Sequence, residues 1–191
     1  KFTIQLRKEA CKYIYDLIDL NPSVLSEKGK IGGRISDLLQ SLSNPFKIIN
    51  NKLYTKLYKL LNLLVKKFYT QTPEFLSTIL EYIDIGLNLD PSQNSCIISA
   101  INFLRDLSEN ELKIIKSYDK MKITKPLEPL YNEILIDKYL PVCIRFIESI
   151  DEKKIEVNDV KNNPLPFMFA NEPIASFIKI LSEKTCGLIK K

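Results

Sequence analysis

The chain contains no histidine and no tryptophan. Without an imidazole it has no general base of the usual kind, no Ser/His or Cys/His nucleophilic pair and no histidine metal site. Glycine is scarce, five in 191 residues. That argues against Gly-rich phosphate loops and against a β-fold dense in tight turns. No apolar run approaches the ~20 residues needed to cross a bilayer, and no signal peptide opens the chain. The four cysteines, Cys11, Cys96, Cys143 and Cys186, lie far apart and form no CxxC pair. The first three sit within apolar helical patterns, so the expected state is reduced and core-packing in an intracellular setting, cytoplasmic or nuclear. An extracellular disulfide pair remains an alternative. The first residue is Lys1 and a helical pattern begins at once, which reads as a fragment of a longer protein.

What is present is apolar and basic in moderation. Apolar residues make up 45% of the chain, enough for one sizeable core or a short stack of helical repeats. The formal net charge of +5 permits contact with nucleic acid or an anionic membrane surface but requires neither.

Apolar periodicity places helices along most of the length. Residues 3–20 carry Leu6, Ala10, Tyr13, Ile14, Leu17 and Ile18 at helical spacing, closed by Asn21-Pro22. A second helix, 33–43, aligns Ile35, Leu38, Leu39 and Leu42 and breaks at Pro45. The third spans roughly 47–70. Thr72-Pro73 has the form of an N-cap followed by proline at the first helical position, opening 73–88. Asp90-Pro91 repeats that signal for 91–107. Ser108 with Glu111 forms a capping box for a helix to about Lys120. A break at 121–127 marks a possible sub-boundary within a single domain. A helix over 128–150 follows, with Pro141 forcing a kink or a split. Residues 151–171 read as a polar, then proline-rich loop in which IEVNDV is the one strand candidate, and 172–189 as a final helix. The expected fold is all-α: about eight helices in stacked antiparallel hairpins, as an α-solenoid or superhelical bundle.

Residues 7–42 resemble an armadillo or HEAT repeat. "RKEACKYIYDLI" is similar to the armadillo inner-groove helix, and "EKGKIGGRISDLLQSL" to the E-x-G-x-I segment leading to the L-L-x-S helix, with one extra residue before Ile35. The resemblance covers about a fifth of the chain and implies a curved helical scaffold used for protein recognition. In the nuclear-import adaptors of that family a tryptophan and an asparagine on this helix hold an extended basic peptide. Lys12 and Asp16 stand at those positions here, so that binding mode is not carried over.

Three surfaces are candidates for contact with a partner. Besides the first helix with Lys12 and Asp16, the stretch "NKLYTKLYKLLNLLVKKFYT" sorts Lys52, Lys56, Lys59, Lys66 and Lys67 into one arc of about 100°. Leu53, Leu57, Leu60, Leu61, Leu64 and Phe68 lie opposite. The lysines are either the wet side of a half-buried helix or a surface for an anionic partner, and Leu63 within their arc favours contact. The third candidate is Phe167, Met168 and Phe169 in the proline-bounded "NNPLPFMFANEP", which either caps the helical stack or binds a partner. "SEKGKIGGR" could form an anion-binding nest with Lys28, Lys30 and Arg34, or a structural turn.

No catalytic constellation emerges. Asp16 with Asp19, and Glu81 with Asp84, occupy i, i+3 positions without a visible convergence in a cleft. The expected function is a non-enzymatic scaffold without cofactor or metal that binds a protein or peptide. The alternative is a module that binds nucleic acid or acidic lipid through its lysine face.

Overall fold

Asn50 opens the helix on which the fold is built. Its backbone is extended (φ −152°, ψ 117°) and its side-chain oxygen accepts the Leu53 N–H at 3.1 Å, an N-cap that starts a helix over Asn51–Lys67. This element belongs to a computed structural model that describes residues 2–25, 31–120, 130–131 and 134–148. Among these residues every regular element is helical and there is no strand. The α-helices are α1 (Phe2–Leu20), α2 (Ile31–Phe46), α3 (Asn51–Lys67), α4 (Leu76–Leu87), α5 (Asn94–Lys120) and α6 (Leu140–Glu148). The chain packs as two compact units, Lys1–Phe103 and Leu104–Lys191, and the division falls inside α5. The suggested break at 121–127, the loop and helix expected over 151–189 and Cys186 lie outside the described residues.

In the first unit α1 packs on α3, and α2 packs on both α3 and α4. Cys11, Lys12 and Tyr15 of α1 face Lys56 and Lys59 of α3, while Asp19 near the end of α1 meets Lys67 at the end of α3. The two helices therefore run in the same direction, and α2 carries the chain back between them. Asn51 and Thr55 of α3 likewise meet Ser99, and Tyr58 meets Phe103, so the start of α5 runs along α3 in the same sense.

Tyrosines dominate the core of this unit. Phe46 stacks on Tyr82 with ring centroids 4.4 Å apart, and Tyr54 and Tyr58 meet Phe46 edge-on at 5.6 and 5.3 Å. Such pairs add about 0.5–1.5 kcal/mol each beyond their buried area. Each phenol also finds a backbone carbonyl: Tyr54 donates to Phe46 O at 2.7 Å, Tyr58 to Tyr82 O at 3.0 Å, and Tyr82 to Leu39 O. The rings thus pin α2, α3 and α4 together, and each buried phenol O–H finds an acceptor there.

Several helix boundaries differ from the sequence reading. α2 runs one residue past Pro45, because a proline in the last turn forfeits a single helical bond and its own φ suits the helix. Thr72-Pro73 does not open α4. Both residues lie in a 3₁₀ turn, Tyr69–Glu74, and the buried Thr72 hydroxyl donates back to Phe68 O at 3.2 Å. The pair expected as 91–107 and 108–120 is one helix of 27 residues, preceded by a 3₁₀ turn at Pro91–Gln93 where Asp90 accepts the Ser92 N–H at 2.9 Å. Ser108 and Glu111 are buried inside it, and no helix starts at Ser108. In the second unit, Glu111 instead accepts the backbone N–H groups of Leu130 and Tyr131, the latter at 2.9 Å. The kink expected at Pro141 takes the form of a π-helical stretch, Leu135–Tyr139, directly before α6. A wider turn there relieves the clash between the proline ring and the preceding carbonyls.

Candidate partner-binding face of the first helix

α1 is apolar on two sides, and only one of them is buried. Cys11 and Ile18, seven residues apart, face α3 and are almost fully covered (4% and 1% exposed). On the far side Leu6, Tyr13, Leu17 and Leu20 are 60%, 70%, 38% and 86% exposed. At ~100° per residue these four and the exposed Ala10 fall within an arc of about 80°. Helical spacing alone sets Leu6, Ala10, Tyr13, Ile14, Leu17 and Ile18 together against a polar opposite face. That is corrected here: the Cys11–Ile18 edge packs inward, and the larger apolar stripe points to solvent. Single exposed leucines are ordinary, but a row of large apolar groups along about four turns of one helix is the pattern of a contact surface.

The lysine arc of α3 is divided by this packing. Lys52 and Lys66 are exposed. Lys67 is tied to Asp19, with its ammonium 3.0 Å from the carboxylate and 3.3 Å from the Asp19 carbonyl. Lys56, half-buried, and Lys59 turn with Lys12 of α1 toward a hollow of about 240 Å³ whose walls include Tyr15 and Cys11. Leu63 lies between Lys59 and Lys67 along α3 and is 5% exposed. It belongs to the packed side of the helix, which corrects its assignment to a contact surface. Asp16 is exposed on α1, four residues beyond Lys12. Arg34 falls within α2, but its side chain, like Lys28, Lys30, Phe167, Met168 and Phe169, lies outside the described residues.

Burial raises the Cys11 thiol above its ordinary value, and the charge of Lys56 pulls it partly back. Cys96 is raised by burial and Cys143 is pushed up to about 12 by the same cause. All three are free, buried thiols of the core-packing kind expected from their helical context. Among the described residues no group of Cys, Asp and Glu side chains is placed to hold a metal ion, and no helix is long and apolar enough to cross a membrane. Tyr15 and Cys11 as walls of the lysine hollow were not foreseen. The available signal was Cys11 with Ile18 at i, i+7, a second apolar row beside the stronger leucine row. Comparison of the chain with protein-family models, with curated proteins and with solved structures returns no match.

Proposed function

We propose that the chain is a non-enzymatic helical scaffold of stacked hairpins, armadillo- or HEAT-like, that binds a protein or peptide partner through the exposed face of α1. The observation that carries the reading is the Leu6–Tyr13–Leu17–Leu20 row, bare on a helix whose opposite edge is fully packed. The stacked-hairpin arrangement is supported by α1 lying on α3, α2 on α4, and the common direction of α1, α3 and the start of α5. The partner surface that fits is an amphipathic segment whose apolar residues recur every three to four positions, laid along α1 as in helix-in-groove recognition.

The second reading, binding of nucleic acid or acidic lipid, draws on Lys52, Lys56, Lys59 and Lys66. With Lys67 held by Asp19 and two of these lysines turned toward α1, the geometry favours a compact anion over an extended phosphodiester backbone. The test of the preferred reading is to introduce charge into the row. Leu6→Glu and Leu20→Glu at these exposed positions leave thermal stability within about 0.5 kcal/mol of the parent. Recovery of the native partner in quantitative co-precipitation falls at least tenfold. Unchanged recovery with both substitutions together removes the reading.

A further inference from the structure

We propose that the hollow between α1 and α3 is a binding site for a phosphoryl group carried on a small soluble molecule, held by the ammonium groups of Lys12, Lys56 and Lys59. The site rests on the α1–α3 packing and not on the partner-binding reading, so either can fail without the other.

Three features of the structure converge on it. The first is geometry: three cationic side chains from two different helices border one concave space of about 240 Å³, with Tyr15 beside them and the Cys11 thiol buried at the wall. That space is below the ~300–1,000 Å³ of pockets that enclose drug-sized ligands, so it suits one compact group. The second is charge balance. Lys67 has the Asp19 carboxylate and Lys113 has Glu109, at 3.0 and 3.1 Å. Among the described residues no carboxylate forms an ion pair with Lys12, Lys56 or Lys59, and none lines the hollow. The third is burial: Lys56 is only half exposed, and its charge is felt by the Cys11 thiol. Lys12 and Lys59 are exposed at the same hollow, where an anion can enter from solvent. A phosphomonoester, with a charge of roughly −1.5 to −2 near neutral pH and three acceptor oxygens, matches three ammonium donors.

The experiment uses the whole chain. Inorganic phosphate, then pyrophosphate and phosphoserine, are titrated by calorimetry at constant ionic strength balanced with chloride, at pH 7.5 and at pH 5.5. Saturable binding with one site is expected, and its affinity should fall as pH drops below the second phosphate ionisation at about 6. Lys56→Gln, Lys59→Gln and Lys12→Gln should each weaken binding by roughly tenfold, the order expected for one charge-assisted hydrogen bond. Lys52→Gln and Lys66→Gln, on the same helix but away from the hollow, should leave affinity within about twofold of the parent. Equal loss in both sets, or no saturable binding, overturns the site in favour of diffuse attraction. Sedimentation with phosphatidylserine vesicles without any binding of the soluble phosphates also overturns it, in favour of a membrane surface.

Discussion

At Gly86 the core leaves no room for a side chain. A Cβ at this position would stand 2.0 Å from the Tyr58 hydroxyl oxygen and 2.8 Å from the Ala100 Cβ, so α4 approaches α3 and α5 closely because residue 86 has no side chain. In a helix interior Gly→Ala ordinarily gains about 1 kcal/mol of propensity. Here overpacking of about 1–3 kcal/mol opposes it, and the Tyr58–Tyr82 O hydrogen bond is broken. Gly86→Ala should therefore destabilise the chain in urea unfolding, and Tyr58→Phe in the same chain should recover part of the loss by removing the colliding oxygen. A neutral Gly86→Ala would contradict this packing. Tyr54 and Tyr82 carry a second consequence. Burial, first of all, pushes both phenols up to about 12 from the ordinary 10.0. Each stays protonated in the folded chain after the unfolded chain has ionised. Their contribution is therefore complete below pH 10.0 and is lost as pH rises toward about 12. Unfolding free energies at pH 9 and pH 11 should show a fall that is smaller in Tyr54→Phe than in the parent, and an equal fall in both would mean the phenol is hydrated.

Glu111 joins two elements that the sequence pattern separates. Its carboxylate accepts the backbone N–H groups of Leu130 and Tyr131, nineteen and twenty residues away, from a position 1% exposed on α5. Glu111→Ala orphans two backbone donors and should cost roughly 1–3 kcal/mol for each. Glu111→Gln, which keeps an acceptor, should lose less. Hydrogen exchange at the Leu130 and Tyr131 amides should accelerate in the alanine variant, and unchanged protection there would show that the carboxylate is dispensable. This residue also shows where sequence reading stops. Ser108 three positions before Glu111 has the form of a capping box, but a capping box and a buried acceptor for a distant segment share the same letters, and only the tertiary partner separates them. α3 was legible because Leu53, Leu57, Leu60, Leu61, Leu64 and Phe68 all face one way and all are buried. The start of α4 was less so, since Thr72-Pro73 suits a 3₁₀ turn as well as a helix N-terminus. The tyrosine core escaped notice because the burial of Tyr54, Tyr58 and Tyr82 depends on acceptors for their hydroxyls that other helices supply. α1 was read with its faces merged, because Cys11 and Ile18 are a weaker apolar signal than the leucine row that points outward.

For the first unit as a whole, burial divides α1 into a packed edge and an exposed apolar edge. The Cys11–Ile18 edge of α1 is buried where α1 packs on α3, and the Leu6–Leu20 edge is exposed among the described residues. Because the row is exposed, its loss should change binding with little effect on stability, whereas Ile18→Ala, at a site 1% exposed, should cost about 2–5 kcal/mol. That contrast, read by thermal unfolding beside partner recovery, separates a docking face from a structural one. The most direct test is photo-cross-linking from Tyr13, replaced by a benzophenone amino acid, in the cells that make this protein. A discrete adduct with another protein should form from position 13, disappear when Leu17→Glu and Leu20→Glu are added, and be absent when the same probe sits at Lys113. No adduct at position 13, or adducts only with lipid or nucleic acid, would show that the exposed face of α1 does not bind a protein.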